Sequence, residues 1–333
     1  MILIISSDGD VSTNHTIEWL LLNKEPFVRI NNSTKVFLKE LILNNDEIDA
    51  HLILRDNFYH DFEIKLSDVK SVWYRRGGIN LNTHQFLSKQ LNSKKHKNFN
   101  LYLKKELTEV EDLIYYILAK KKCVNTYFDD VEINKSYVLW CASQCGLKIP
   151  KNCITSYPDV IENRFQDWNQ EMITKALKYS FLKFDNKVIC AGTEKIKIEH
   201  LKETDTFLFP SLFQNQIDKA FEVRTFYLND KFYSSAIFSQ SDEQTSVDFR
   251  NYNHEKPNRT PPFELPQDIE DRLIVLMKRL NYNSGSIDIV VDKKGEYIFL
   301  EVNPVGQFHQ VSYPCNYFIE EKIAKFLKNN EKS

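Results

Sequence analysis

Two acidic side chains and an amide interrupt an otherwise apolar pair of segments: Asp288 in SIDIVVD, and Glu301 and Asn303 in IFLEVNP. Read as strands, Ile287, Ile289 and Val291 share one face of the first, and Asp288 with Val290 the other. Ile298, Leu300 and Val302 share one face of the second, with Phe299, Glu301 and Asn303 opposite. If Lys293 to Glu296 form the connecting loop, Asp288 lies directly across from Glu301. Two carboxylates so placed repel, and in a partly buried site one takes up a proton unless a cation holds both. Oxygen donors without His or Cys suit a hard ion such as Mg²⁺, which keeps some waters and draws further ligands from phosphates. Arginine neutralisation is the other reading, and the hairpin alone leaves both open.

Further cations stand where a polyphosphate would need them. Lys135 opens a helix, Lys175 lies in MITKAL, Arg224 interrupts FEVRTFYL, and Arg250 sits in VDFRNYNH. Any one alone fits a solvated position. Lys and Arg within apolar strands are harder to place in that way, because unpaired burial is costly. With the acid cluster they describe a polyphosphate site.

The elements around these residues alternate in type. MILIIS reads as a strand, followed by a helix whose capping residues lie in DVSTNH and whose Ile17, Leu20 and Leu21 recur at helical spacing. KVFLKELILNN, AHLILRD, FYHDFEIKL and SVWYRR supply short strands, and the Gly- and Pro-free stretch from His84 to Lys122 reads as one or two helices. A helix from about Val131 to Cys145 ends at Gly146, before Pro150. EMITKAL and KVICAGTEKI are strand-like, and two alternating strands flank an Asn-Asp-Lys turn at 229 to 231. DFRNYNHEKPNRTPPFELP reads as a loop, and QDIEDRLIVLMKRLNYN as an amphipathic helix with Ile269, Leu273, Leu276 and Leu280 on one face. NYFIEEKIAKFLKNN closes the chain as a helix.

Composition excludes several classes. With 333 residues, 42% hydrophobic and 27% charged, the chain can bury two or three packed subdomains, and a formal charge of −2 gives no global attraction to nucleic acid. No apolar run is long enough to span a bilayer, and MILIISSDGD has neither a basic leader nor a small-residue cleavage site, so a cytoplasmic protein is expected. The six cysteines are scattered, without a Cys-x-x-Cys pair or a neighbouring His cluster, which favours reduced structural thiols over zinc.

The ordered series Asn134-Lys135, Lys175, PSLFQNQ followed by EVRTFY, DFRNYNH, and DIVV…FLEVNP resembles the ATP-grasp ligases over roughly residues 125 to 325. The branch that adds glutamate to a ribosomal protein is especially similar. ISSDGDVSTNHTIEWL and SVWYRRGG look like the opening domain of the ATP-grasp maturases that cyclise ribosomally made peptides, the graspetide (microviridin-type) synthetases, within which the grasp-with-spasm type is most similar. One departure is the glycine-rich phosphate loop: KYSFLKFDNKVICAG offers only Gly192.

The resemblance implies an α/β (α+β) ATP-grasp fold: an N-terminal pre-ATP-grasp domain over 1–124, a central subdomain over 125–209 and a C-terminal subdomain over 210–333 that carries the metal site, with nucleotide between the last two. It further implies ATP and Mg²⁺ as cofactors. Lys135 and Lys175 would face the nucleotide phosphates, the backbone of Ser211, Leu212 and Phe213 the adenine, and Glu222 the ribose. Asp288, Glu301 and Asn303 would hold Mg²⁺, Arg224 and Arg250 would clamp the transferred phosphate as catalytic residues, and Asn251 would join Arg250 at the nucleotide.

The implied reaction activates Asp or Glu side chains of a precursor peptide (leader plus core) and closes ω-ester or ω-amide rings onto Thr, Ser or Lys, in a homodimer that engages neither nucleic acid nor membrane. His15, His254 and His309 are polar candidates for accepting the proton of the attacking hydroxyl, each with a plainer surface or core role. A ligase adding a free amino acid to a carboxylate would use the same nucleotide site. A non-catalytic nucleotide-binding regulator is the reading from another class.

Overall fold

The aliphatic run Ile2–Ser6 is buried along its whole length as β1, and Asp10 ends the following turn by accepting the Thr13 amide at 2.7 Å, capping α1 (Val11–Leu22). These elements belong to a computed structural model that describes residues 1–82, 97–178, 181–184, 187–190, 192–197, 199, 207–238 and 259–328. The chain packs as two units: Met1–Glu132 with Gln307–His309 and Phe318–Ser333, and Ile133–Gly306 with Gln310–Tyr317.

In the first unit β2 (Phe27–Ile30) pairs with β1, and an antiparallel trio follows: β3 (Lys35–Leu43), β4 (Ile48–Arg55) and β5 (Asp61–Lys65). The chain then returns as β6 (Ser71–Arg75), runs through α2 (Lys97–Ala119), and adds β7 (Lys122–Val124) and the short α3 (Tyr127–Val131). The sheet order β2-β1-β6-β7 is parallel throughout. Parallel strands covered on both faces read as continuous apolar runs, which is how MILIIS and SVWY appear. Arg75, on the interior strand β6, is 1% exposed. It pairs with Asp10 at 3.5 Å, donates to Gln307 Oε1 at 2.9 Å and lies over the Phe308 ring. That contact set explains why residues 307–309 pack with the first unit although they follow directly on the strand of the second.

In the second unit, α4 (Lys135–Gln144), capped by Asn134, precedes β8 (Asn152–Thr155), α5 (Pro158–Asp167) and β9 (Met172–Lys175). A hairpin of β10 (Phe181–Phe184) and β11 (Lys187–Cys190) and the short β12 (Glu194–Lys195) lead to β13 (Ser211–Asn215), in an antiparallel sheet of order β12-β9-β13-β8. A second antiparallel sheet, β16-β15-β14-β17-β18, comprises β14 (Lys219–Leu228), β15 (Lys231–Ile237), β16 (Pro262–Phe263), β17 (Ser284–Asp292) and β18 (Tyr297–Asn303). Asn229 and Asp230, with φ of 47° and 63°, make the tight turn between β14 and β15. Helix α6 (Gln267–Arg279) lays Ile269, Leu273, Leu276 and Met277 onto a core with Ile287, Ile289, Phe299 and Val302. The described chain ends with the single turn α7 (His309–Ser312) and with α8 (Ile319–Lys328), whose Ile319, Ile323 and Leu327 are buried in the first unit. No described helix is long and apolar enough to cross a membrane.

Two sequence expectations are corrected and one helix is added. The helix expected from about Val131 to Cys145 starts later, at Lys135: Val131 is the last residue of α3, which Thr126 caps, and Asn134 opens α4 afresh, a new cap that requires a break in helical backbone. Helix α5 is an element that the sequence pattern did not single out; Pro158 starts it, and Ile161, Phe165 and the following Trp168 are buried. Phe299 lies on the core face, not with Glu301 and Asn303. It pairs with Ile289, whereas Asp288 pairs with Glu301, so β18 carries one extra residue at Leu300. That bulge changes the phase of the strand midway.

Candidate functional site

Cross-strand register builds the site. Ser235, Arg224, Asp288 and Glu301 are successive partners on β15, β14, β17 and β18. Paired residues share a sheet face, so these four side chains form one row on the face opposite the Ile287–Ile289–Val302 core. The next row holds Tyr233, Phe226, Ser286 and Asn303, and on the other side lie Ile237, Glu222, Val290 and Ile298. The β18 bulge lets Phe299 serve the core while Glu301 and Asn303 remain beside Asp288.

The charges in this row are compensated. Arg224 Nε lies 3.5 Å from Asp288 Oδ1, and its Nη1 donates to Gln310 Oε1 at 3.2 Å. Lys135, at the first turn of α4, donates to Glu301 Oε2 at 2.9 Å, and Asn303 Nδ2 donates to Oε1 at 3.2 Å. Burial pushes the Glu301 carboxyl up, but Lys135, Lys175 and the Asn303 hydrogen bond outweigh it and bring it down to about 2. Glu301 is therefore ionised at neutral pH. Arg224 and Lys135 supply the neutralising charge that the sequence called for, without excluding a metal. Two carboxylates and the Oδ1 that Asn303 retains after donating its amide protons form an oxygen-only donor set that fits Mg²⁺.

The other expected residues divide. Lys175 ends β9 across from Leu212 and acts on Glu301 electrostatically. Glu222, two residues before Arg224 on the same face, is buried in an ion pair with Lys219. Leu212 and Phe213 are buried in the middle of β13 and pair with β8 on one side and β9 on the other; Ser211 pairs with Thr155 of β8. Leu212 and Phe213 thus lie between two strands, whereas Ser211 is paired on the β8 side alone. Beyond β13 the chain passes through residues 216–218 toward Glu222. Arg250, Asn251 and His254 lie outside the described residues. Lys219, Ser235 and Gln310 were not foreseen. A lysine beginning a strand that two positions later becomes alternately apolar was the available signal for Lys219, whereas Ser235 and Gln310 depend on register and chain return.

One antiparallel sheet contributes lysine and a second carries acids on the face away from its core, and the likeness to solved structures shows that the chain has the ATP-grasp fold. Solved structures extend the likeness over the whole chain. A RiPP-associated ATP-grasp ligase of Chryseobacterium gregarium, in complex with ADP and a leader and core peptide, is 24% identical over 98% of this chain and 94% of that one, with a TM-score of 0.78. The macrocyclase MdnC of Microcystis aeruginosa MRC, bound with precursor peptide MdnA, is 25% identical over 99% and 100%, with a TM-score of 0.75. The ATP-grasp ligase PsnB, complexed with minimal precursor, Mg and ADP, is 16% identical over 99% and 97%, with a TM-score of 0.72. No protein-family model and no curated protein matches the chain.

Proposed function

We propose that the protein is an ATP-dependent, ADP-forming ligase that activates Asp or Glu side chains of a ribosomal precursor peptide and closes ω-ester or ω-amide rings with Thr, Ser or Lys of the same peptide. The observation that carries this reading is the row Arg224–Asp288–Glu301, flanked by Lys135 and Asn303, in a chain similar from end to end to peptide-bound ATP-grasp ligases.

Lys135 and Lys175 bind the phosphates, Glu222 the ribose, and the backbone around Ser211, Leu212 and Phe213 the adenine. Asp288, Glu301 and Asn303 would hold Mg²⁺, which when bound neutralises charge on the transferring phosphoryl group. A peptide carboxylate oxygen forms a bond to the γ-phosphorus as the bond to ADP breaks, giving an acyl phosphate. Arg224, with Arg250 and Asn251 from DFRNYNH, holds that anionic group. The hydroxyl or amine then attacks the acyl carbon, phosphate leaves, and one proton is released. Each ring consumes one ATP and removes one water from the peptide. The divisions 1–124, 125–209 and 210–333 and a cytoplasmic homodimer complete the proposal.

The test is incubation with Mg-ATP and the small acidic, Thr-rich peptide encoded beside the protein, with ADP and peptide mass followed together. Loss of one water per ring, matched to ADP, is the expected result. A gain of one amino-acid residue in mass, or no ADP release, overturns it.

A further inference from the structure

We propose that the first unit contains a transition-metal site, distinct from the Mg²⁺ position, made by His15, His309 and Glu320. His15 lies midway along α1, His309 follows the segment held by Arg75, and Glu320 is in the first turn of α8. One potential ligand atom from each of the three lies within 4.8 Å of the others. The two imidazoles meet edge to face with centroids 5.3 Å apart, and His309 Nδ1 is 3.5 Å from Glu320 Oε1. Ligands on a tetrahedral Zn²⁺ with bonds of about 2.0–2.2 Å stand roughly 3.3–3.6 Å apart, so small side-chain rotations close the site.

The donor set selects the ion. Two neutral imidazoles and one carboxylate suit Zn²⁺, Co²⁺ or Ni²⁺ and disfavour Mg²⁺, which prefers oxygen. The site therefore stays separate from the ion used with ATP. Its three supports are firm: Asp10 caps α1, Ser71 Oγ and Glu25 anchor α8 through Leu327 O at 2.8 Å and Lys328 at 3.0 Å, and Arg75 holds the chain at Gln307. Glu320 is 7% exposed, and both histidines are partly exposed, which gives the ion a way in. Three protein ligands leave a fourth position for water. Bound metal would tie together α1, α8 and residues 307–309, which are remote in sequence.

The full-length protein, freed of metal by a chelator, is titrated with Co²⁺ and then Zn²⁺. We expect one Co²⁺ per chain, visible ligand-field bands without thiolate-to-cobalt charge transfer, displacement by Zn²⁺, and a higher unfolding temperature with metal. His309→Ala and His15→Asn should each weaken binding by more than about tenfold, a lower bound set by the effect of losing a mere supporting contact. Both positions are partly exposed, so these variants keep the fold, which thermal unfolding in chelator checks. Absence of stoichiometric Co²⁺ binding, a thiolate spectrum, or unchanged affinity in either variant overturns the site. The titration needs neither ATP nor peptide, so its outcome is independent of the proposed ligase activity.

Discussion

Glu301 is held between opposing influences: burial raises its carboxyl, while Lys135 at 2.9 Å, Lys175 and Asn303 draw it down to about 2. A folded value below the ordinary 4.5 means that ionised Glu301 stabilises the protein above pH 4.5, and that this contribution is lost as pH falls from 4.5 toward 2. Glu301→Gln should remove that component: its stability, measured by denaturant titration, falls less steeply across the window than that of the unaltered protein. Superimposable curves would contradict the assignment. At pH 7 the same substitution, or Asp288→Asn, should lower ADP release by on the order of a hundredfold or more while far-UV circular dichroism is retained, the scale for losing one preorganised electrostatic contact. Near-normal turnover in either variant would remove these residues from the metal set. Most of this chemistry was legible from residue types, because acids within an aliphatic hairpin need a cation whichever cation it is. That Arg224 and Lys135 are those cations was not, since their approach depends on β14 lying beside β17 and on α4 starting next to β18.

At the scale of elements, the site depends on two backbone devices in the hairpin. The Leu300 bulge separates Phe299, which packs on Ile289, from Glu301, which faces Asp288. Strict alternation misassigned Phe299 because period-two reasoning assumes an unbroken ladder, and a single extra residue leaves no mark in composition. The second device is the return loop after Asn303. A Cβ on Gly306 would stand 2.5 Å from Ser286 Cβ and 2.8 Å from the Asn303 carbonyl oxygen, so the loop seats directly on the row that holds Asn303. Gly306→Ala should destabilise the protein by about 1–3 kcal/mol through overpacking. Adding Ser286→Gly should recover part of that loss, as it removes the side chain but leaves the Asn303 carbonyl in place. A double-mutant cycle by chemical denaturation measures the coupling. Independent, additive effects would show that the loop does not bear on Ser286. By contrast α6 and the β14–β15 turn were readable almost residue by residue: their signals, a 3.6-residue apolar face and adjacent Asn and Asp, are local.

At the scale of the molecule, sequence order and packing part company at the C-terminus. Helix α8 follows the ATP-grasp strands along the chain, yet its Ile319, Ile323, Ala324 and Leu327 are at most 2% exposed within the unit begun by Ile2. An amphipathic helix announces that it has an apolar face but not which surface covers it, so this return, like the meeting of residues 15, 309 and 320, was hidden from any reading of spacing. Full burial of an Ile or Leu side chain contributes roughly 1.5–3 kcal/mol, and three of them approach the whole stability of a small domain, about 5–15 kcal/mol. Truncation after Tyr317 should therefore unfold the first unit selectively. Limited proteolysis of the shortened protein is expected to cut within residues 1–132 while 133–306 persists. A fragment of residues 1–132 should fold only when 318–333 is joined to it by a flexible linker, with cooperative thermal unfolding as the readout. Were 1–132 to fold equally well alone, or were the truncation to expose 133–306 first, α8 would be an accessory of the first unit instead of part of its core. The metal proposal would then lose one of its three supports.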